Sequence, residues 1–271
     1  MMVINKKTFS LILLICSLLI SSGCFLRKDR TLQKLKQILE SGNAALHAKQ
    51  YDKAIEFYNT GLKIAPQELV FLNNKSFAIR LRGTDLYNTS IRLEDKQSKT
   101  NGIEASKKDF LDASIVSAEA VEILKTKSSV EMYILESIEN LKSHTLASHA
   151  ESMRLLATIV DKTKATEALE AMNEYIHVET DQEKKLKTQL NAGKMLLETY
   201  NGHKAFIEYK KVLDYNPNNL DAVLGVGMAL SQSGHKDDFR EAKTFLQRFV
   251  NQAPADHPSM AIAKEILSSM S

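Results

Sequence analysis

A spacing of four residues that occurs twice constrains this chain more than any other feature. Gly42, Ala54, Tyr58 and Pro66 lie 12, 4 and 8 residues apart, and Gly193, Ala205, Tyr209 and Pro217 repeat those intervals. Near the C-terminus, Ala242, Leu246 and Pro254 keep the last two. Apolar residues surround the first set at helical period: Leu32, Leu35, Ile38 and Leu39 before Gly42, then Tyr51, Ala54, Ile55, Tyr58 and Leu62. A break at Ala48–Gln50 separates two helices. Pro66 ends the second, because proline cannot continue a helix and disfavours helix in the residue before it.

The rest of the chain is written in the same vocabulary. Only 10 Gly and 4 Pro occur in 271 residues, so Ala, Leu, Glu and Lys run long distances without breakers. No stretch alternates apolar and polar residues between Gly-rich turns, so no sheet is expected and the fold class is all-α. With 44% hydrophobic and 25% charged residues, the chain can bury a core.

Two helices within about 34 residues, with a small residue in the first, an Ala and a Tyr in the second and Pro after it, resemble the tetratricopeptide repeat (TPR). The resemblance implies a right-handed solenoid of helical hairpins over residues 31–271, with lengthened, divergent central helices. Clear units are expected at 35–68, 186–219 and 220–256, degenerate ones at 69–125 and 152–185, and a capping helix at 258–270. Ala171 and Tyr175 lie 34 residues before Ala205 and Tyr209, which places the second helix of the unit at 152–185. Pro217 and Pro254 are 37 apart, so the last unit carries a three-residue insertion beside a turn at Gly234. Gly202 departs from the family, which usually has an aromatic there. In the first unit Gly42 is expected to face Ala54, with Tyr58 filling the gap to the next unit.

The middle is read from periodicity alone. A long helix from Leu69 to Leu93 is followed by a polar stretch from Lys96, a turn at Asn101-Gly102 and a helix over Ile103–Leu124. A loop at Lys125–Lys127 precedes helices at Val130–Thr145, Leu146–Val160 and Ala165–Val178, with a polar break at Asp161–Lys164.

Met1–Lys7 is basic, Thr8–Ile20 is dominated by Leu and Ile, and Ser21-Ser22-Gly23-Cys24 follows. This is the pattern of a secretory signal, and its apolar part is too short to span a bilayer as an ordinary helix. Its end resembles a bacterial lipobox, departing from it at Ser21. The resemblance implies a signal peptide at 1–23, a diacylglycerol on Cys24 and a polar tether at 24–30. Phe25 stands where Asp would often signal inner-membrane retention. An outer-membrane position facing the periplasm is therefore expected in a diderm organism. Cys16 would leave with the signal, so no thiol remains for a disulfide, thiolate metal site or nucleophile.

Nothing in the sequence points to catalysis, a metal or a cofactor. The seven histidines are scattered, and His144 and His149 are five apart, not on one helical face. HExxH, phosphate-loop, G-x-S-x-G and CxxC patterns are absent. The net charge of +3 falls to +1 without Lys6 and Lys7, which is no footprint for nucleic acid. In the resembling family the first helix of each pair lines a concave binding surface. By analogy Asn43, His47, Lys194, Glu198, Met228 and Gln232 turn inward. The expected function is a lipid-anchored envelope scaffold for a protein or peptide partner. The alternative is a small-ligand carrier or transporter-associated lipoprotein, with an enclosed apolar pocket between 69 and 178. The repeat register is tested by Ala205→Leu, expected to lower the thermal melting point. Overpacking a close helix contact costs about 1–3 kcal/mol, and unchanged melting would refute the register.

Overall fold

The computed structural model describes residues 30–126, 138–233 and 235–270. All regular structure among them is helical. Helix α1 covers 30–47. It is followed by α2 (Tyr51–Ile64), α3 (Leu69–Ser90), α4 (Lys96–Thr126), α5 (Ile138–Leu155), α6 (Ala165–Val178) and α7 (Gln182–Glu198). Then come α8 (Gly202–Tyr215), α9 (Leu220–Ser231), α10 (Lys236–Gln252) and α11 (Met260–Ser269). Consecutive helices pack on each other, and odd-numbered helices also meet, α3 beside α5 and α7 beside α9. Signal segment, Cys24 and most of the tether lie outside the described residues, as do Gly234 and the expected helix start at Val130.

The side chain nearest to each glycine of the repeat is the large residue of the following helix. A Cβ on Gly42 would stand 2.5 Å from the Tyr58 ring, and one on Gly193 would stand 2.7 Å from that of Tyr209. In the third copy Gly227 faces Leu246 in the same way, at 2.7 Å. The missing side chain therefore seats the large residue of the following helix. Ala54, Ala205 and Ala242 are small for their own reason, since each is fully buried in its hairpin. Tyr209 also meets Gly225 of the next unit, where a Cβ would lie 2.4 Å from the ring. Tyr58 reaches its next unit differently, with its ring 6.5 Å from that of Phe71. Gly202 replaces the usual aromatic because it abuts α9: a Cβ there would be 2.9 Å from the carbonyl oxygen of Ala229.

The turns of the two best copies are built alike. Lys49 and Tyr200 have φ of 57° and 62°, the left-handed conformation that closes a helix end. Beyond them the N–H of Gln50 donates to Ala45 O at 2.9 Å, and that of Asn201 to Leu196 O at 2.7 Å.

The centre departs from the repeat by length. Helices α3 and α4 run 22 and 31 residues. Asn101-Gly102 makes no turn; both residues lie inside α4. The chain reverses earlier, and the Asp95 carboxylate accepts from the Ser98 N–H at 2.7 Å. Gly102 is a glycine because α4 crosses the end of α3, where a Cβ would fall 1.9 Å from Ser90 Oγ. Lys125 and Thr126 belong to α4 rather than to a loop. Nor does the chain break between Thr145 and Leu146. Both are buried within α5, and Thr145 Oγ1 accepts from Asn73 Nδ2 of α3 at 2.9 Å. Helix α5 then widens into a π turn over Leu156–Val160, closed by Asp161 N–H to Leu156 O at 2.9 Å. The hairpin of α5 and α6 therefore begins well before residue 152. Small polar residues let the long helices approach: Ser76, Ser106, Ser114, Ser117 and Ser152 are buried among them.

The buried apolar residues form three clusters along the stack: one around Tyr58 and Phe71, one around Leu69, Ala113 and Leu141, and the largest from α5 to α11. Replacing Gly225 by Ala gains up to about 1 kcal/mol of helix propensity but drives a methyl into the buried Tyr209 ring. The expected result is a net loss of about 1–2 kcal/mol, read by urea unfolding; equal or greater stability would contradict the packing.

Candidate partner-binding groove

Helices α3, α5 and α7 turn one face to a shared trough. Between α3 and α5 lies a hollow of about 400 Å³ lined by Val70, Asn73, Asn74, Phe77 and Arg80 on one side and His144, Ala147 and Ser148 on the other. Between α5 and α7, a second of about 330 Å³ is lined by Arg80, Ala147 and Glu151 opposite Lys184, Lys187, Thr188 and Asn191. A third, of about 810 Å³, continues around the α6–α7 turn, with His144, Tyr175, Glu179 and Lys184 in its wall. Ala147 lines all three, so the hollows adjoin one another along one trough.

Two charged side chains of its lining, Arg80 and Glu151, meet a third, Arg154. Arg154 grips Glu151 with two hydrogen bonds, from Nε and Nη2, both 2.8 Å. Arg80 approaches the same carboxylate only to 3.8 Å, beyond hydrogen-bond range. Its guanidinium lies 5.0 Å from the centroid of the Phe77 ring. Burial pulls the Arg80 pKa below its ordinary value, opposed by the charge of Glu151. Burial alone would raise the Glu151 pKa; the hydrogen bonds and charge of Arg154, with Arg80 and Lys187 nearby, hold it below the usual range.

Glu179 anchors the far end. Its Oε1 accepts from the backbone N–H of Thr180 (2.8 Å) and Asp181 (2.9 Å), and its Oε2 from the hydroxyls of Tyr175 (2.8 Å) and Ser143 (3.2 Å). The N–H of Asp181 chiefly, with those other donors, pulls its pKa down to about 2 against the effect of burial. This carboxylate fastens the α6–α7 turn in a unit that lacks the closing proline.

The six residues expected to turn inward are spread along the stack, and the structure does not bring them to one place. Asn43 is half-buried and occupied internally, its Oδ1 accepting from Tyr58 Oη (2.9 Å) and Asn74 Nδ2 (3.1 Å). His47 is exposed near the end of α1, and Lys194 and Glu198 are exposed on α7. Met228 packs on the main core. Gln232 lies at the end of α9, its Nε2 3.5 Å from Leu197 O. The residues of the central trough were missed because the middle units gave no register from which to choose an inward face. No sequence signal singles out Arg80, which shares α3 with Lys75 and Arg82. Among the described residues no helix is long and apolar enough to cross a membrane.

No family model matches the sequence, and no curated protein matches it. Among solved structures it is similar to YrrB, a TPR protein with an unusual peptide-binding site. The TM-score is 0.52 at 14% identity, over 84% of this chain and 90% of that one. The chain has a TPR-like fold. The TPR2AB domain of yeast Sti1, in a complex with pHSP90, is also similar, with a TM-score of 0.33 at 16% identity over 88% of this chain and 98% of that one.

Because the folded pKa of Glu179 lies below the ordinary glutamate value of 4.5, its ionised form stabilises the fold above that pH. That contribution fades as the pH falls through about 2. Glu179→Gln is therefore expected to cost about 1–3 kcal/mol at pH 7, with the gap to wild type closing as denaturant melts are taken below pH 4.5. A pH-independent gap would contradict the assignment.

Proposed function

We propose that this chain is a non-enzymatic scaffold, lipid-anchored at the bacterial cell envelope, that holds an extended segment of a partner protein during assembly of an envelope complex. The observation that carries this reading is the trough across α3, α5 and α7, lined by exposed Lys184, Lys187 and Phe77 and by half-buried Asn74 and Asn191. Extended peptide offers backbone groups to such side chains and lays alternate residues into successive hollows. A peptide-binding site is described for YrrB, which shares the fold. The trough is open and polar along α7, which favours a scaffold over a carrier with an enclosed apolar pocket. The anchor rests on the order of basic start, short apolar segment and Ser-Gly-Cys at Met1–Cys24. If it is acylated there, two or more chains suffice for stable attachment. Placement at the outer membrane, facing the periplasm of a diderm cell, belongs to the same proposal and rests on Phe25 after that cysteine.

A photo-crosslinking residue at Thr188, in the trough, is expected to capture a partner protein from intact cells, whereas one at Ile115 on α4, 58% exposed, is not. Capture from Ile115 alone would sink the groove reading. In the same cells Cys24→Ser is expected to abolish fatty-acid labelling and membrane retention, and persistent labelling would remove the anchor.

A further inference from the structure

Arg80 is a cation built into the groove floor without the partners its burial demands. Its side chain is 14% exposed. Nε is fully buried and has no hydrogen-bond partner, and no hydrogen bond from the guanidinium is found among the described residues. The one carboxylate within reach, Glu151, is already held by both hydrogen bonds of Arg154. Across the trough, the ammonium groups of Lys184 and Lys187 form no ion pair among the described residues. A buried guanidinium in this state is less favourable than one that is fully hydrogen-bonded.

Resting on the peptide-groove reading above, we propose that Arg80 is the specificity-determining residue of the groove and takes the carboxylate of an acidic side chain, Glu or Asp, within an extended partner segment. Arg80 and Ala147 form the wall common to the first two hollows. A carboxylate entering there meets the guanidinium edge while Phe77 covers the planar face. Arg80 and Arg154 outnumber Glu151 by one positive charge, and Lys184 and Lys187 add two more from α7. The residue beside the acid would rest on Val70, Phe77 and Ala147, so an apolar neighbour suits it. Planar bidentate pairing in a partly dry site is the geometry in which an arginine–carboxylate contact is strongest.

The test uses the purified full chain on an array of 12-residue peptides with randomised flanks and a fixed central Glu, Asp, Gln, Lys or phosphoserine. The Glu and Asp sets are expected to bind about ten-fold above the Gln and Lys sets. Arg80→Met should erase that preference while its melting temperature stays level or rises, since an under-bonded buried charge is removed. Arg154→Met, which frees Glu151 to pair with Arg80, should also weaken it. Peptide binding without preference for the acid would overturn the role of Arg80 and leave the peptide-groove reading standing. Stronger binding of phosphoserine than Glu would overturn the carboxylate assignment. A clear fall in the melting temperature of Arg80→Met would show the cation to be structural. Absence of binding to every set would overturn both readings.

Discussion

The architecture depends on aromatic rings seated against bare backbone. Tyr209 touches Gly193 in its own hairpin and Gly225 in the next, so one side chain fixes the approach of α7, α8 and α9 together. Any side chain at either glycine would push the helices apart. In the first unit Phe71 supplies the inter-unit contact, and Gly61 makes room for it, a Cβ there falling 2.5 Å from the ring. These seats set where each hairpin begins relative to the last. The first helices of neighbouring hairpins, α3 beside α5 and α7 beside α9, consequently lie side by side and offer a surface for a ligand to meet.

The centre solves the same packing problem with longer helices. Helices α3 and α4 meet through serines and glycines, and Arg82 braces them. Its Nε donates to Asp109 Oδ2 at 3.0 Å and its Nη2 to Oδ1 at 2.6 Å, while Nη1 reaches Asp52 on α2. Helix α5 packs on α3 and its π turn contacts α7, but α5 and α7 themselves diverge. One hollow of the trough lies in that gap, and Arg80 is part of its lining. The departure from a regular repeat is thus what creates the most distinctive part of the surface.

The spacing of Gly, Ala, Tyr and Pro was enough to locate the end units, because those residues act through local sterics that a period reveals. Pairing was harder: the sequence does not say that the side chain nearest Gly42 is that of Tyr58, since the answer lies in how two helices rotate about their axes. Asn101-Gly102 misled for a related reason. A glycine needed for close approach between helices looks the same in a sequence as one needed for a turn. The apparent junction at Thr145–Leu146 came from a dip in apolar periodicity, where a buried threonine is satisfied by Asn73 from 72 residues away. Groove residues such as Arg80 and Glu151 were not legible for the same reason, their meaning being set by distant neighbours on α3 and α5.

The three apolar clusters are joined sparingly. The first two share the flanks of Leu39, Ile55 and Leu62, and the second and third meet at Leu124. A chain organised in this way is a row of adjoining vaults more than a single keystone arch. Tension applied through the amino-terminal end would be taken up first by α1 and α2, whose loss leaves the contacts from α5 to α11 in place. Local unfolding can thus be absorbed at one end while the surface farther along keeps its shape.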